Sequence, residues 1–488
     1  MLPQVVKTMV SHSGVMLLSV LSSLVLIPLL MTTYGKDGLG SYWLILSIIS
    51  VLGFLEFGLL TSSSTFFAKA RGGGLGRLWV STDRLIKRYV VILLFIFALV
   101  ASLVYVVWIG ERAGIQADWL DDAQYLFVAL IVSLALSIIT IPFAAKLQAF
   151  EQIQVLYFAQ FLNVLFRLVL SLIVVYLEYS LWLLGLAALL ATCVSSMYQI
   201  YFARKITNTP SQKHGDTLSW KKMFMVMLPI SVLMLGDLLR FTVDTMIVGA
   251  VLGTTMVAVY GVGFLPAEFL KQAMSPFSRF FMVWASLDDG KREKNHDRLF
   301  QFAKYAGIPV AIMCALIAAS APLLIQAWMG EEFVAEAAVV LPVLLLGFVF
   351  ALPQAGVTGH LIGAGQQWNL AWLTLAEGIC NVLLTLFLIA EWGLLGVAIG
   401  TCIPMVLSKG FIQPWLLAKL HGLSYFHVWR HLLLAPLLWG AGVFVILVWP
   451  AWHVNHLWEY VAFGCLAFVV AGVPILYRGY MVWKVKHG

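Results

Sequence analysis

Residues 155–176 read VLYFAQFLNVLFRLVLSLIVVY, an apolar run whose single charged side chain is Arg167. A helix of about 20 apolar residues crosses the hydrocarbon core of a bilayer, which is roughly 30 Å thick. Arg167 lies near the middle of the run, where a charge is costly unless it faces a partner or a water-filled path. The stretch therefore predicts a membrane-spanning helix whose charge serves transport.

Similar apolar runs recur along the whole chain. Of its 488 residues, 62% are hydrophobic and only 11% are charged, whereas a soluble protein of this length needs far more polar surface. The sequence therefore predicts an all-α integral membrane protein. We predict about fourteen transmembrane helices, over residues 12–33, 41–61, 89–109, 123–144, 154–176, 181–203, 224–250, 255–275, 301–327, 338–360, 369–390, 394–417, 431–450 and 457–477.

The placement of lysine and arginine predicts the orientation of these spans. Lys36 and Arg112 fall in loops after odd-numbered spans, four cations lie within spans, and all the others lie at the termini or beside loops after even-numbered spans. Cytoplasmic loops carry the excess of positive charge, so both termini are predicted in the cytoplasm. The net charge of +7 is then a topology signal and an attraction to anionic membrane lipids, and no nucleic acid partner is expected.

Nine charged residues fall inside predicted spans: Glu56, Arg167, Asp237, Arg240, Asp244, Glu268, Lys271, Glu377 and Lys409. Ionisable residues at membrane depth are rare and mark substrate or ion pathways, which favours a transporter. The predicted outer loops are too short for a catalytic domain, so no enzyme is expected. The five cysteines form no CxxC pair, and we expect neither a metal nor a cofactor.

Short sequence matches indicate an internal repeat. Three of them are 218 residues apart and pair Gly35 with Gly253, Tyr42 with Tyr260, and Asn163 with Asn381. Weaker matches in the same order pair residues 149–152 with 364–367, and Thr192 with Thr401. Because each copy holds an even number of spans, the repeat is parallel. We predict six-helix lobes over residues 1–222 and 223–425, followed by two further helices and a basic tail over 426–488.

Several motifs carry a resemblance to a known family. They are Pro28, Tyr34-Gly-Lys-Asp-Gly-Leu-Gly-Ser-Tyr42, Leu55-Glu-Phe-Gly-Leu59, Asp244-Thr-Met-Ile-Val-Gly249 and Gly393-Leu-Leu-Gly-Val-Ala-Ile-Gly400. With these the chain resembles the bacterial polysaccharide (Wzx-type, oligosaccharidyl-lipid) flippases of the multidrug/oligosaccharidyl-lipid/polysaccharide (MOP) exporter superfamily. The resemblance covers most of the chain.

That resemblance implies a MATE-like fold and a function. The family moves undecaprenyl-diphosphate-linked oligosaccharide repeat units across the bacterial inner membrane by alternating access, for O-antigen, capsule or exopolysaccharide synthesis. Expected partners are the lipid-linked oligosaccharide and membrane lipids, with polysaccharide polymerase and chain-length proteins as further candidates. A multidrug or cation antiporter and a lipid II flippase are alternatives within the superfamily. A membrane glycosyltransferase or polymerase is a different class, from which we expect a large outer loop or clustered outer acids.

Two predicted spans carry polar stripes with the same spacing. The fifth has Gln160, Asn163, Arg167 and Ser171, and the eleventh has Thr374, Glu377, Asn381 and Thr385. Positions i, i+3, i+7 and i+11 share one helix face, and in the repeat Arg167 corresponds to Thr385. Such faces either line a cavity between the lobes or join helices through hydrogen bonds.

The cations of these spans are candidate substrate-binding residues. Arg167 has no charged neighbour on its own helix and can hold the diphosphate, because guanidinium binds phosphate oxygens bidentately; an ion pair with another span is the alternative. Arg240 is flanked by Asp237 and Asp244, which either neutralise it or leave it for a passing anion. Lys409 either lines the cavity or extends to the head-group level.

The acids of these spans are candidates for ion coupling. Glu56 and Glu377 have no charged neighbour on their own helices, and removal from water favours the neutral form of a carboxylic acid, so either could carry a proton. Each could equally be the structural partner of a cation. Asp237 and Asp244 complete the candidate set.

Overall fold

The structure is a computed structural model and describes residues 2–56, 58–106, 114–206, 217–286 and 292–451. Within these ranges all regular secondary structure is helical, which confirms the predicted all-α class. The α-helices are α1 Leu2–Gly53, α2 Leu59–Gly72, α3 Gly76–Val104, α4 Ala117–Ala149, α5 Ile153–Tyr176, α6 Leu183–Ile206, α7 Trp220–Phe241, α8 Val243–Leu252, α9 Thr254–Ser286, α10 Arg292–Tyr305, α11 Gly307–Ala319, α12 Ala321–Met329, α13 Val334–Ala351, α14 Ala355–Gly363, α15 Gln367–Leu407, α16 Gln413–His421, α17 Tyr425–Trp429 and α18 Ala435–Ala451.

Helix α15 turns its polar face into the protein and its apolar face outward. Glu377 and Asn381 are buried, whereas Phe387 and Leu383 are 76% and 62% exposed. A soluble protein rarely exposes apolar surface on this scale, and it would place these side chains the other way round. The outer surface of α15 is therefore suited to lipid.

Ten stretches of the described residues are long and apolar enough to cross a membrane, so the protein is a multi-pass membrane protein. The stretch Ser11–Gly72 holds the first two predicted spans, and Gln367–His421 holds the eleventh and twelfth. The eighth falls on α9, and the fourteenth, residues 457–477, lies outside the described residues. The count of fourteen stays a prediction.

Two long helices contain a sharp turn at a glycine. Gly35 in α1 has φ 69° and ψ −177°, and Gly393 in α15 has φ 53° and ψ −134°, conformations that favour glycine. A Cβ added to Gly400 would lie 2.5 Å from Oγ1 of Thr385, 15 residues earlier, so α15 folds back on itself. Both turns lie between predicted spans.

The chain forms two compact units. Unit 1 comprises Met1–Leu238 and Thr245–Ala258, and unit 2 comprises Leu239–Asp244 and Val259–Gly488. In unit 1, α4 and α5 pack on α6 and on α1; in unit 2, α13 packs on α11 and α15, and α18 packs on α11. The predicted lobes 1–222 and 223–425, with the appendix 426–488, stay a prediction.

One of the predicted sequence matches is displaced by a residue. The connection after α4 has Glu151 at φ 59°, and the connection after α14 has Gly365 at φ 78°. Their hydrogen bonds also correspond, with Gln152 N donating to Leu147 O and Gln366 N donating to Leu361 O. These positions are 214 residues apart, whereas the match of residues 149–152 to 364–367 used 215, because the eye paired the alanines rather than the backbone turn.

Candidate functional site

Arg167 lies on α5, half-buried in unit 1. Its Nη2 donates a hydrogen bond of 2.8 Å to the Tyr42 hydroxyl, which comes from α1. Among the described residues no carboxylate forms an ion pair with it, so the predicted alternative of an ion pair is not seen there. A guanidinium has five N–H donors and stays charged, and one neutral hydroxyl leaves most of those donors and the whole charge available.

The other members of the α5 stripe differ in their surroundings. Asn163 Nδ2 donates to Oγ1 of Thr192 on α6, at 3.3 Å, and Thr192 also accepts a bond of 2.8 Å from Ser133. Ser171 is buried and Gln160 is exposed. One part of the stripe thus joins helices, as one predicted alternative has it, while Arg167 is left without a charged partner.

The α15 stripe of unit 2 is buried along its whole length and holds an ion-pair network. Arg240 Nη1 lies 2.5 Å from Glu377 Oε1, and Lys409 Nζ lies 3.8 Å from Glu377 Oε2. The Ser408 hydroxyl donates to the same carboxylate. Two cations and one hydroxyl therefore hold Glu377 in its ionised form.

Arg240 was predicted on one helix face with Asp237 and Asp244. Helix α7 ends at Phe241 and α8 begins at Val243, so a break at Thr242 separates Arg240 from Asp244. Asp237 is exposed. The prediction of a single continuous face is wrong, because spacing along the chain does not show a helix break.

Lys409 lies within a short π-helical segment, Ser408–Ile412, that follows α15. Single π-helical turns are frequent at functional sites. The ammonium group is buried, close to Glu377, and donates to Gln413 Oε1 at 2.9 Å. It does not extend to the membrane surface, which was the alternative from the sequence.

Asp244 is fully buried and surrounded by uncharged donors. Its Oδ2 accepts a bond of 2.7 Å from Thr401 and longer contacts of 3.4 Å from Tyr260 and Asn381. Its Oδ1 accepts from Thr385 at 3.3 Å. These side chains come from α8, α9 and both arms of α15. Of the partners, Asn381 belongs to the predicted set; Tyr260, Thr385 and Thr401 were noted only as repeat or stripe positions.

Corresponding positions of the two units meet in corresponding ways. Asn163 and Thr192 bond directly in unit 1, and their counterparts Asn381 and Thr401 share one oxygen of Asp244 in unit 2. Tyr42 bonds Arg167, and its counterpart Tyr260 contacts Asp244. The same frame therefore holds a cation in unit 1 and an acid in unit 2.

The remaining predicted charges lie apart from these sites. Glu56 ends a short 3₁₀ segment, Phe54–Glu56, between α1 and α2, and no hydrogen bond or ion pair joins it to another described residue. Lys271 and Glu268 pair on α9 at 2.6 Å, and the Lys271 ammonium lies 4.0 Å from the centre of the Phe241 ring.

Comparisons with known proteins agree with this fold. Residues 5–279 match the family model described as polysaccharide biosynthesis protein. A putative O-antigen transporter from Shigella flexneri is 23% identical over 397 residues, covering 79% of this chain and 91% of that protein.

Two solved structures resemble the whole chain. The lipid II flippase MurJ, in an inward closed conformation, has a TM-score of 0.72 at 12% identity, covering 96% of this chain and 99% of its own. An inward-facing multidrug resistance MATE family transporter of the MOP superfamily has a TM-score of 0.65 at 16% identity, covering 86% and 98%. At these identities the likeness shows a shared fold.

Proposed function

Because the chain belongs to the polysaccharide biosynthesis protein family, we propose that it flips undecaprenyl-diphosphate-linked oligosaccharide repeat units across a bacterial inner membrane. It acts by alternating access and supplies the synthesis of a surface polysaccharide. The similarity to a putative O-antigen transporter and the ten membrane-crossing stretches support this function. Both termini lie in the cytoplasm, as the distribution of lysine and arginine predicts.

Arg167 is the observation that carries the proposal. A guanidinium inside a membrane protein normally has an acidic partner, and among the described residues Arg167 has only the Tyr42 hydroxyl. A diphosphate supplies paired oxygens that match two N–H donors of one guanidinium. Arg167 therefore binds the diphosphate of the lipid carrier while the sugar crosses the membrane.

The other proposed binding residues act around this contact. Gln160 and Asn163 lie on the same helix face as Arg167 and offer amide donors and acceptors to the sugar. Arg240 and Lys409 are held by Glu377, and Asn381 by Asp244. These three bind substrate only in a state where those contacts open.

Asp244 is the strongest candidate for ion coupling. A fully buried carboxylate needs compensation, and the donors around Asp244 are hydroxyls and one amide. Asp244 therefore takes up either a proton or a small cation. Glu377 is a weaker candidate because two cations already neutralise it, and Glu56 and Asp237 remain in the set.

The test is complementation of a strain that lacks its own polysaccharide flippase. Wild-type protein restores surface polysaccharide, and Arg167→Ala abolishes it while the protein remains in the membrane. The matched control is Arg84→Ala, since Arg84 is exposed on α3. Normal polysaccharide with Arg167→Ala would refute the role given to Arg167.

The lipid II flippase alternative has one specific support, the likeness to MurJ over 96% of this chain. Depletion of the resident lipid II flippase in the same strain separates the two functions. If this chain restores growth there and fails to restore surface polysaccharide, lipid II is its substrate and the proposal is wrong.

A further inference from the structure

Three connections of unit 1 converge on one pocket of about 590 Å³. They are the turn at Gly35, the start of α4 and the connection between α5 and α6. In the predicted orientation all three follow odd-numbered spans and face outward. The argument uses six of the lining residues: Thr32, Tyr34, Trp119, Asp122, Glu178 and Tyr179.

The aromatic wall of this pocket is held rigidly. The rings of Tyr34 and Trp119 meet edge to face at 6.1 Å, and the Tyr34 hydroxyl donates to the carbonyl of Tyr179 at 2.6 Å. A Cβ added to Gly38 would lie 3.1 Å from the Trp119 indole, so the absence of a side chain there lets the indole pack against the backbone. A fixed aromatic surface of this kind packs well against apolar faces of a ligand.

The acidic wall has a fixed side chain and an available one. Asp122 accepts a hydrogen bond from Leu181 N at 3.2 Å and so holds the connection between α5 and α6. Glu178 has no hydrogen bond or ion pair with a described residue. Its carboxylate can accept several bonds, and it lines the pocket.

Glu178 also lies in a backbone conformation that favours glycine. Its φ is 52°, at the end of α5, where Glu178 N bonds Val175 O and Tyr179 N bonds Val174 O. Helices commonly end this way with glycine, and another residue there is less stable by roughly 1 kcal/mol. Strain at a residue that faces a pocket points to a use for its side chain.

We propose that this pocket binds a neutral or amino-bearing saccharide at the outer face of unit 1. Sugar rings present C–H faces to Tyr34 and Trp119, and their hydroxyl or ammonium groups donate to Glu178. No lysine or arginine lines the pocket, so it disfavours acidic sugars. The inference rests on the proposed function, since it makes this pocket the place where the sugar part of the substrate is held after crossing.

The test uses the purified full-length protein in lipid nanodiscs and saturation-transfer NMR. The probes are N,N′-diacetylchitobiose, which is neutral, glucosamine, which is cationic, and N-acetylneuraminic acid, which is anionic. We expect the neutral and amino probes to bind at least about tenfold more tightly than the anionic one. Trp119→Ala weakens them by about tenfold, whereas Trp392→Ala, which removes an exposed tryptophan beside the Gly393 turn, leaves them unchanged.

Glu178 variants keep the test decisive if Trp119→Ala fails to fold. Glu178→Gly relieves the backbone strain, so it is expected to be at least as stable as wild type and yet to bind the neutral and amino probes several-fold more weakly. Glu178→Lys shifts the preference toward N-acetylneuraminic acid. Binding that is unchanged in Glu178→Gly, or absent for all three probes in wild type, overturns the pocket. Complementation by wild type and its loss with Arg167→Ala would then still support the flippase.

Discussion

The polar stripes of α5 and α15 occupy corresponding positions and treat charge in opposite ways. On α15 every member is buried, and Glu377 is neutralised by Arg240 and Lys409 within unit 2. On α5 the one charge, Arg167, meets a tyrosine hydroxyl. A charge that is neutralised inside its own unit stabilises that unit, whereas one that lacks a partner awaits a ligand. The difference assigns stability to α15 and substrate binding to α5.

The largest expected effect is the loss of the acid from the α15 network. Glu377→Ala leaves two buried cations without a partner and is expected to lower the free energy of unfolding by about 3–5 kcal/mol. Unfolding by SDS titration in mixed micelles measures this. Glu336→Ala, an exposed glutamate of α13, is the control and should change stability by under about 1 kcal/mol. Equal losses in the two variants would remove the distinction between the stripes.

The second effect concerns transport and not stability. Arg167→Thr places in unit 1 the residue type found at the corresponding position of unit 2, Thr385. The loss of a charge-assisted bidentate contact is expected to lower transport roughly 10- to 100-fold, measured as lipid-linked oligosaccharide flipped in proteoliposomes. Its free energy of unfolding should stay within about 1 kcal/mol of wild type. A stability loss as large as that of Glu377→Ala would make Arg167 a structural residue.

The third effect compares two corresponding threonines. Thr401→Val removes the 2.7 Å bond to Asp244 and is expected to cost about 1.5–3 kcal/mol, since the acceptor is an acid. Thr192→Val removes bonds to neutral groups and should cost about 0.5–1.5 kcal/mol. SDS titration measures both. The reverse order would show that Asp244 does not depend on these donors.

The smallest effect is expected at Tyr42. Tyr42→Phe deletes one hydrogen bond to Arg167 and should lower the free energy of unfolding by about 0.5–1.5 kcal/mol. Because the diphosphate is held by the guanidinium, transport should fall by less than tenfold. A loss as complete as that of Arg167→Thr would place the tyrosine hydroxyl in contact with substrate.

The sequence predicted what depends on local pattern. Apolar length gave the membrane spans, and helical spacing found both stripes, whose α15 members are all buried. It did not predict that Arg240 pairs with Glu377, because its nearest acids in sequence, Asp237 and Asp244, lie on either side of the break at Thr242. Tertiary packing chose the partner, and packing is not visible in one sequence.

Two further features depended on the same kind of long-range information. Lys409 was open between cavity and membrane surface, because its depth depends on the π-helical segment that carries it. The pocket of unit 1 joins residues from three separate connections. No spacing within one of those connections indicates the other two.

The turn at Gly393 brings residues 15 apart into contact, whereas Asp244 and Thr401 are 157 residues apart. Ribosomes add roughly 5–20 residues per second, so Asp244 enters the membrane roughly 10–30 seconds before its shortest hydrogen-bond donor exists. Arg167 follows Tyr42 by 125 residues and finds its partner already synthesised. Unit 1 can therefore complete its polar contacts while the ribosome is still at work, and unit 2 depends on the insertion machinery, or on lipid-bound water, to shelter Asp244 until α15 arrives.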